Sequence, residues 1–412
     1  MKNKTFCVLP WIHVASRTNG EVKPCCLSTR VIKKPDGSTY NLGYDTLEEI
    51  YNSDEFIDIR KKMVAGEPVS GCETCYRQEE SSNFSNRLYY NKEFPSTILV
   101  NASIAQDYKI NINVKYMDLR FGNLCNLKCR TCTPANSSQL NKEIAELPKT
   151  ATLSKIYPVV PDNLNEWYTT EMFFDNLDKT KKYLRVVYLT GGEPTLVEGN
   201  YRFMQMMIDE GSNKNIMLAF NTNLTNIQDK FLKYVNQFRK VMFSCSIDGI
   251  GPMQEYLRYP SNWAQIDKNF KKIIESTENG IIRMTPVIQI TNLEFLPELF
   301  EYAENINREH KKPIIEIFPA ILNHPSIMDI QYLPLDYKKY CWDKLSNWLK
   351  TAEYQTEKFY EKMKQVEHRC LIDVDYKQQL NEFKEMTELL DANRNQTLKD
   401  VNSNLYSIIF TK

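Results

Sequence analysis

The chain has 412 residues, which is long enough for two or three domains and a sizeable core. Basic and acidic residues number 52 each, so the net charge is zero and nothing in the charge points to nucleic acid. A hydrophobic content of 42% excludes a disordered chain, and the lack of any run of about 18 apolar residues argues against a membrane span. Because the N-terminus has no long apolar leader and the 11 cysteines are clustered, we expect a cytoplasmic protein with thiol metal ligands rather than disulfides.

The first 112 residues carry one group of cysteines, which ends in a CxxC pair. Asn19-Gly20 predicts a hairpin turn followed by a strand, and the apolar spacing predicts a helix over residues 46–64. Four thiolates could hold either a structural zinc ion or an iron–sulfur cluster, and the spacing leaves both open. Five cysteines compete for these four places, namely Cys7, Cys25, Cys26, Cys72 and Cys75.

The middle of the chain, residues 113–320, alternates strand patterns with helix patterns. Such alternation predicts repeated βα units, with a parallel sheet covered by helices. The expected helices span 227–238, 263–274 and 295–306, and the expected strands span 114–121, 186–189, 216–220, 241–246, 282–290 and 314–318. The connection 134–184 is long for one crossover and predicts an insertion, whereas residues 321–412 predict a mostly helical extension without a chemical motif.

A second cysteine group, Cys125, Cys129 and Cys132, lies just after the first of these strands. Cysteine thiolates are the usual ligands of iron–sulfur clusters, and three of them leave one iron of a four-iron cluster without a protein ligand. An open coordination position is typical of a catalytic site, whereas a zinc knuckle requires a fourth ligand. No fourth cysteine or histidine lies nearby in the sequence, which favours the cluster.

Two further motifs follow the second and fourth strands. They are Gly191-Gly192-Glu193-Pro194 and Ser246-Ile247-Asp248-Gly249, the latter trailed by Arg258. Each alone is a common strand-end turn or helix cap, but the ordered set with the three cysteines resembles the radical S-adenosylmethionine (SAM) superfamily. The N-terminal cysteines are similar to the SPASM/twitch auxiliary-cluster modules of that superfamily, although here they precede the barrel.

This resemblance implies a partial (β/α)6 barrel over residues 113–320, after an auxiliary domain (1–112) and before a helical extension (321–412). Cys125, Cys129 and Cys132 would hold a SAM-binding 4Fe–4S cluster. A second 4Fe–4S cluster would use Cys7, Cys25, Cys72 and Cys75, with Cys26 spare. The SAM amino group would meet Gly191, Gly192 and Glu193, and its carboxylate Ser246 and Arg258. Asn223, after Thr222, would lie near the ribose, although the glycine usual at the next position is Leu224 here.

The implied activity is reductive cleavage of SAM to a 5′-deoxyadenosyl radical that abstracts a hydrogen atom from a substrate. A peptide or protein is the first choice of substrate, and a sugar or small metabolite is the second. The electron would come from a reducing partner such as a flavodoxin or ferredoxin, and Glu79, Glu80 and Arg87 are the candidates for proton transfer. The alternatives are a non-catalytic zinc protein and a scaffold that binds SAM without cleaving it.

Overall fold

The computed structural model describes residues 3–95, 97–161 and 166–410. The chain forms two compact units, each built from three separate segments. Unit 1 contains Met1–Asn123, Asn163–Phe220 and Asp229–Met242, and unit 2 contains Leu124–Asp162, Asn221–Gln228 and Phe243–Lys412. The expected domain boundaries at residues 112 and 320 stay a prediction.

Helices make up most of the regular structure. Several helices of unit 1 begin at serine or threonine caps, such as Ser53 and Thr170, whose side chains accept from a backbone N–H of the first turn. In chain order the helices are α1 (Leu9–Ile12), α2 (Leu47–Tyr51), α3 (Asp54–Ala65), α4 (Glu73–Ser81), α5 (Asn86–Glu93), α6 (Thr97–Ile104), α7 (Ser138–Glu146), α8 (Thr152–Ile156), α9 (Glu171–Thr180), α10 (Glu198–Asp209), α11 (Asp229–Val235), α12 (Pro252–Leu257), α13 (Trp263–Ser276), α14 (Leu296–His310), α15 (Leu335–Leu349), α16 (Glu357–Leu371), α17 (Lys377–Arg394), α18 (Leu398–Val401) and α19 (Ser403–Phe410).

The strands alternate with helices through the middle of the chain. In chain order they are β1 (His13–Ser16), β2 (Val22–Lys23), β3 (Tyr116–Arg120), β4 (Val186–Thr190), β5 (Met217–Thr222), β6 (Lys240–Cys245), β7 (Gly280–Met284), β8 (Val287–Ile288), β9 (Ile315–Ile317) and β10 (Ala320–Ile321). The pairs β1–β3, β3–β4, β4–β5 and β7–β9 are parallel, and β1–β2 is an antiparallel hairpin at Gly20. This mostly parallel arrangement confirms the expected α/β architecture.

Within unit 1 the sheet order is β2-β1-β3-β4-β5, followed by β6, which runs on into unit 2. The register aligns Met117 with Val187 and Val187 with Leu218, so these buried side chains form one apolar layer. The opposite face of the same strands is polar, with Asp118 directly across from Tyr188. Nothing in the sequence analysis anticipated that β1, from the cysteine-bearing N-terminal segment, pairs with β3.

Unit 2 contains the end of β6 together with β7 and β9, which are neighbours in that order, and the separate parallel pair β8–β10. Its helix α13 has the amphipathic spacing expected from the sequence, since Ile266, Phe270 and Ile273 are all buried. The expected C-terminal helices are present as α15 to α19. In the described part of the chain, no helix combines the length and the apolar character that crossing a membrane requires.

Two expected elements are each divided in the structure. The helix expected over residues 46–64 is interrupted at Asn52, because Ser53 caps a new helix with its side chain. The strand expected over residues 282–290 ends at Met284 and resumes as β8 at Val287, because Pro286 has no N–H for the ladder.

Candidate functional site

The loop of Cys125, Cys129 and Cys132 leads into α7 and belongs to unit 2. Cys125 and Cys129 are buried, and Cys132 packs against them. Two serine side chains hold the backbone of the loop. The Ser137 hydroxyl donates to the Leu127 carbonyl oxygen at 2.6 Å, and Ser138 Oγ accepts from the Cys125 N–H at 3.3 Å. The structure therefore brings the three predicted cluster ligands together in one short, anchored segment.

Polar side chains reach two of these sulfurs. Asn223 Nδ2 lies 3.9 Å from Cys125 Sγ, and Arg258 Nη1 lies 3.8 Å from Cys129 Sγ. Burial raises the pKa of the Cys129 and Cys132 thiols, while the Arg258 guanidinium opposes that rise at both. N–H donors at cysteine sulfurs stabilise thiolates, which are the form that binds a metal.

Arg258 is held by the motif at the end of β6. Its guanidinium pairs with both carboxylate oxygens of Asp248, with Nε 2.8 Å from Oδ2 and Nη2 3.1 Å from Oδ1. Gln254, in turn, accepts from the Asp248 N–H at 2.8 Å and donates to the Ser246 carbonyl oxygen at 3.2 Å. The sequence analysis missed Gln254 because a single glutamine in a helix carries no recognisable signal.

The segment Thr222–Leu224 ends β5 and positions Asn223 at the cysteine loop. The Asn223 side chain also donates to Asn126 Oδ1 at 3.0 Å, and the Leu224 N–H donates to Thr222 Oγ1 at 3.1 Å. Leu224 has φ +65°, a left-handed conformation that favours glycine. The backbone at Leu224 thus adopts a conformation that a glycine would favour, at the position where the resembled family usually has one.

The glycine turn after β4 lies in unit 1. Gly191 has φ +115°, and a Cβ atom there would lie 2.8 Å from the Gly122 carbonyl oxygen, which also accepts from the Gly192 N–H at 3.3 Å. Glu193 is buried, and its Oε1 accepts from the Thr195 hydroxyl at 2.8 Å. Gly191 is therefore required by close backbone approach, and Glu193 caps the turn that follows.

The five N-terminal cysteines line a single pocket of unit 1, with about 430 Å³ of space between its atoms, including open solvent at its mouth. Within it, Cys7 interacts electrostatically with Cys25, Cys75 and Cys72, whereas Cys26 interacts with Asp118 as well as with Cys25. Burial raises the pKa of both Cys25 and Cys72 to about 12. This arrangement supports the choice of Cys25 over Cys26 as the fourth ligand.

The three candidates for proton transfer divide into a pair and an outlier. Arg87 Nε donates to Glu79 Oε1 at 2.9 Å and its Nη1 donates to the Phe6 carbonyl oxygen at 2.8 Å, beside Cys7. Both side chains are therefore engaged in a structural ion pair at the edge of the cysteine pocket. Glu80 is exposed, and its carboxyl remains only a sequence-based candidate.

Both cysteine groups suit iron–sulfur clusters by their chemistry. All 11 cysteines lie in the described residues and are free thiols, so eight of them are available as sulfur ligands in these two groups. Within the described ranges, no three Cys, His, Asp or Glu side chains converge tightly enough to share one metal ion. Cysteine thiolates are the usual ligands of iron–sulfur clusters, so both groups offer the donor type that such clusters require.

Two family models match the chain. The model described as the radical SAM superfamily matches residues 119–303, and SPASM, described as an iron–sulfur cluster-binding domain, matches residues 7–76. The first range includes the cysteine loop, the glycine turn and Arg258, and the second includes all five N-terminal cysteines. The matches confirm the resemblance inferred from the motifs, and they favour iron–sulfur over zinc at the N-terminal group.

No curated protein matches the chain significantly. Among solved structures, anSMEcpe with bound AdoMet and the Cp18Cys peptide is 14% identical and has a TM-score of 0.34, with 57% of this chain and 60% of that chain covered. SuiB from Streptococcus suis is 14% identical and has a TM-score of 0.40, with 79% of this chain and 68% of that chain covered. SuiB bound to the precursor peptide SuiA is 13% identical and has a TM-score of 0.39, with 79% of this chain and 69% of that chain covered. This chain thus spans 60% of the anSMEcpe chain.

Proposed function

This chain belongs to the radical SAM superfamily and carries a SPASM-type iron–sulfur domain, and on that premise we propose that it is an enzyme that cleaves SAM reductively to modify a peptide. One observation carries the proposal. Three cysteines of a single anchored loop are packed together, and N–H donors reach two of their sulfurs. This is the environment of thiolates that bind an iron–sulfur cluster, with a number of ligands that leaves one iron open.

The superfamily and the SPASM domain imply SAM, a 4Fe–4S cluster and auxiliary iron–sulfur as cofactors. When bound and reduced, the cluster supplies the electron that cleaves SAM into methionine and a 5′-deoxyadenosyl radical, which abstracts a hydrogen atom from the substrate. The protein binds, orients and shields these groups. We assign Cys125, Cys129 and Cys132 as the ligands of the SAM-binding cluster.

The remaining site residues are assigned to SAM. The turn of Gly191, Gly192 and Glu193 allows close backbone approach, which suits the SAM amino group. Ser246, directly after β6, is assigned to the carboxylate. Asn223 is assigned to the ribose, since its amide already lies at the edge of the cysteine loop.

The N-terminal pocket is assigned to one auxiliary cluster held by Cys7, Cys25, Cys72 and Cys75. Four thiolates occupy every iron of such a cluster, so no iron is left to bind the substrate. We therefore assign this site to electron transfer. The apolar and aromatic side chains of the lining, including Leu9, Met63 and Tyr76, lower the local dielectric around the sulfurs.

A peptide is the proposed substrate because SPASM-containing relatives of the resembled kind often modify ribosomally made peptides. A sugar or small metabolite is the second candidate. The protein's own electron donor is proposed to be a small reducing protein such as a flavodoxin or ferredoxin. Dithionite can replace that donor in the test.

The test begins with anaerobic reconstitution of the full chain and analysis of iron, sulfide and zinc. We expect iron and sulfide sufficient for two clusters, and 5′-deoxyadenosine when SAM and dithionite are added. Cys129→Ala should abolish this product, while the control Cys370→Ala, a buried thiol on α16 outside both groups, should retain it. Zinc without sulfide, or undiminished product from Cys129→Ala, would reject the proposal.

A further inference from the structure

Arg258 and Cys129 face each other across a backbone pairing, not only through their side chains. The Lys128 N–H donates to the Tyr259 carbonyl oxygen at 2.6 Å, and the Arg130 N–H donates to the Leu257 carbonyl oxygen at 2.9 Å. These two bonds flank Cys129 on one segment and Arg258 on the other. The pairing sets the register between the segments, which places Arg258 Nη1 at 3.8 Å from Cys129 Sγ.

The guanidinium has little freedom to turn elsewhere. Asp248 is 1% exposed and binds it through both carboxylate oxygens, and Asp248 Oδ1 also accepts from the Val287 N–H at 2.8 Å. Asn292 Nδ2 donates to the Asp248 carbonyl oxygen at 2.9 Å. One hydrogen bond, from Nη2 to Oδ1, and one close ion-pair contact, from Nε to Oδ2, thus hold the guanidinium. A planar, always charged group held in this way keeps a fixed direction.

A second N–H donor, the uncharged side-chain amide of Asn223, lies at another sulfur of the loop. Asn223 Nδ2 lies 3.9 Å from Cys125 Sγ, and its own carbonyl oxygen accepts from the Thr225 N–H at 3.0 Å, which orients the amide. Two of the three loop cysteines therefore have an oriented N–H donor at the sulfur. These are the two buried cysteines, whereas Cys132 is partly exposed.

We propose that Arg258 is a positioning residue of the cysteine loop, which donates to the Cys129 sulfur and sets the reduction potential of the cluster bound there. This inference rests on the proposed function and reassigns Arg258, which the sequence analysis gave to the SAM carboxylate. Reduction adds negative charge to the cluster, and a buried cation with an N–H aimed at a ligand sulfur stabilises the reduced state more than the oxidised one. Removing that donor lowers the potential.

The test uses the reconstituted full-length protein without substrate. The loop cluster is identified by electron paramagnetic resonance (EPR) as the reduced signal that SAM perturbs, and its midpoint potential is measured by redox titration before SAM is added. Arg258→Gln removes both the positive charge and the planar set of guanidinium N–H donors, while Arg258→Lys keeps only the positive charge. The matched control is Arg283→Gln, because the Arg283 side chain is buried to a similar extent and also pairs with a carboxylate, that of Glu316, outside the cysteine loop. SAM affinity is measured on the same samples.

We expect Arg258→Gln to shift the potential to more negative values, Arg258→Lys to shift it less, and Arg283→Gln to leave it near the wild-type value. SAM affinity should change by less than about twofold. An unchanged potential in Arg258→Gln with SAM affinity about tenfold weaker, the loss expected for one charged hydrogen bond, would overturn the inference and return Arg258 to the carboxylate.

If Arg258→Gln does not bind the cluster, Arg258→Lys decides: a shifted potential supports the inference and an unchanged one overturns it. A wild-type protein that shows no SAM-sensitive signal refutes the proposed function itself. The two failures are therefore distinguishable.

Discussion

The C-terminal helix α17 is expected to be required for cluster binding, although its sequence carries no chemical motif. Arg394 at its end binds Glu143 of α7 bidentately, with Nε 3.1 Å from Oε1 and Nη2 2.6 Å from Oε2. Glu143 also pairs with Lys128 of the cysteine loop at 3.4 Å, and Asp391 of α17 pairs with Arg130 at 2.5 Å. These ion pairs hold both sides of Cys129.

The perturbation is Arg394→Met. The side chain of Arg394 is 0% exposed and that of Glu143 is 7% exposed. At an effective dielectric constant of 20, two charges about 3–4 Å apart attract by about 4–6 kcal/mol, which roughly repays the cost of desolvating both. Removing Arg394 leaves Glu143 buried with Lys128, at 3.4 Å, as its remaining ion-pair partner. We therefore expect a loss of about 3 kcal/mol in the free energy of unfolding of unit 2, the lower end of the range for breaking a buried ion pair.

The assay combines chemical unfolding of the apo-protein with iron retention after reconstitution and gel filtration. Arg394→Met should unfold at lower denaturant and lose iron from the loop cluster, while iron in the N-terminal pocket stays. The double variant Glu143→Leu/Arg394→Met should recover most of the stability, because a pair of apolar side chains leaves no buried charge. A stability loss below about 1 kcal/mol in Arg394→Met, or a double variant as unstable as the single one, would refute the reasoning.

Three further outcomes are expected. Gly191→Ala should weaken SAM binding and lower stability more than Gly211→Ala does. Both glycines have positive φ, but only at Gly191 does the new Cβ meet a carbonyl oxygen, at 2.8 Å. Equal effects of the two substitutions in thermal unfolding and SAM titration would contradict this. In the reconstituted protein, N-ethylmaleimide should label Cys26, while Cys7, Cys25, Cys72 and Cys75 stay protected until iron is chelated. If mass spectrometry shows the label on Cys25 instead, Cys26 is the cluster ligand and Cys25 is the spare cysteine. Burial lowers the pKa of His13 to about 3, so between that value and the unfolded value of about 6.5 the unfolded chain binds more protons and stability falls as the pH falls. The expected loss is about 2 kcal/mol at pH 5, and His13→Gln should flatten this dependence in denaturant unfolding at pH 5 and pH 7.5; identical slopes would show that another group is responsible.

Much of the fold followed from local patterns. The strands β3, β4, β5, β6 and β9 lie within a few residues of their expected positions, because runs of apolar residues bounded by turns need no distant partner to be recognised. The divided helix at Ser53 and the divided strand at Pro286 were missed, since a capping hydroxyl and a missing N–H act on single residues within an otherwise continuous apolar pattern.

Residue types and spacing by themselves determined the kind of chemistry here. The local sequence shows three thiols within eight positions, glycines after one strand and a carboxylate after another. These features are present whatever tertiary structure the chain adopts. Only the tertiary structure decided which groups meet. Arg258 faces Cys129 because backbone bonds align two segments more than a hundred residues apart, and Arg394 reaches Glu143 across a separation of 251 residues. Such contacts depend on packing between distant elements, which leaves no periodic trace in the amino-acid order.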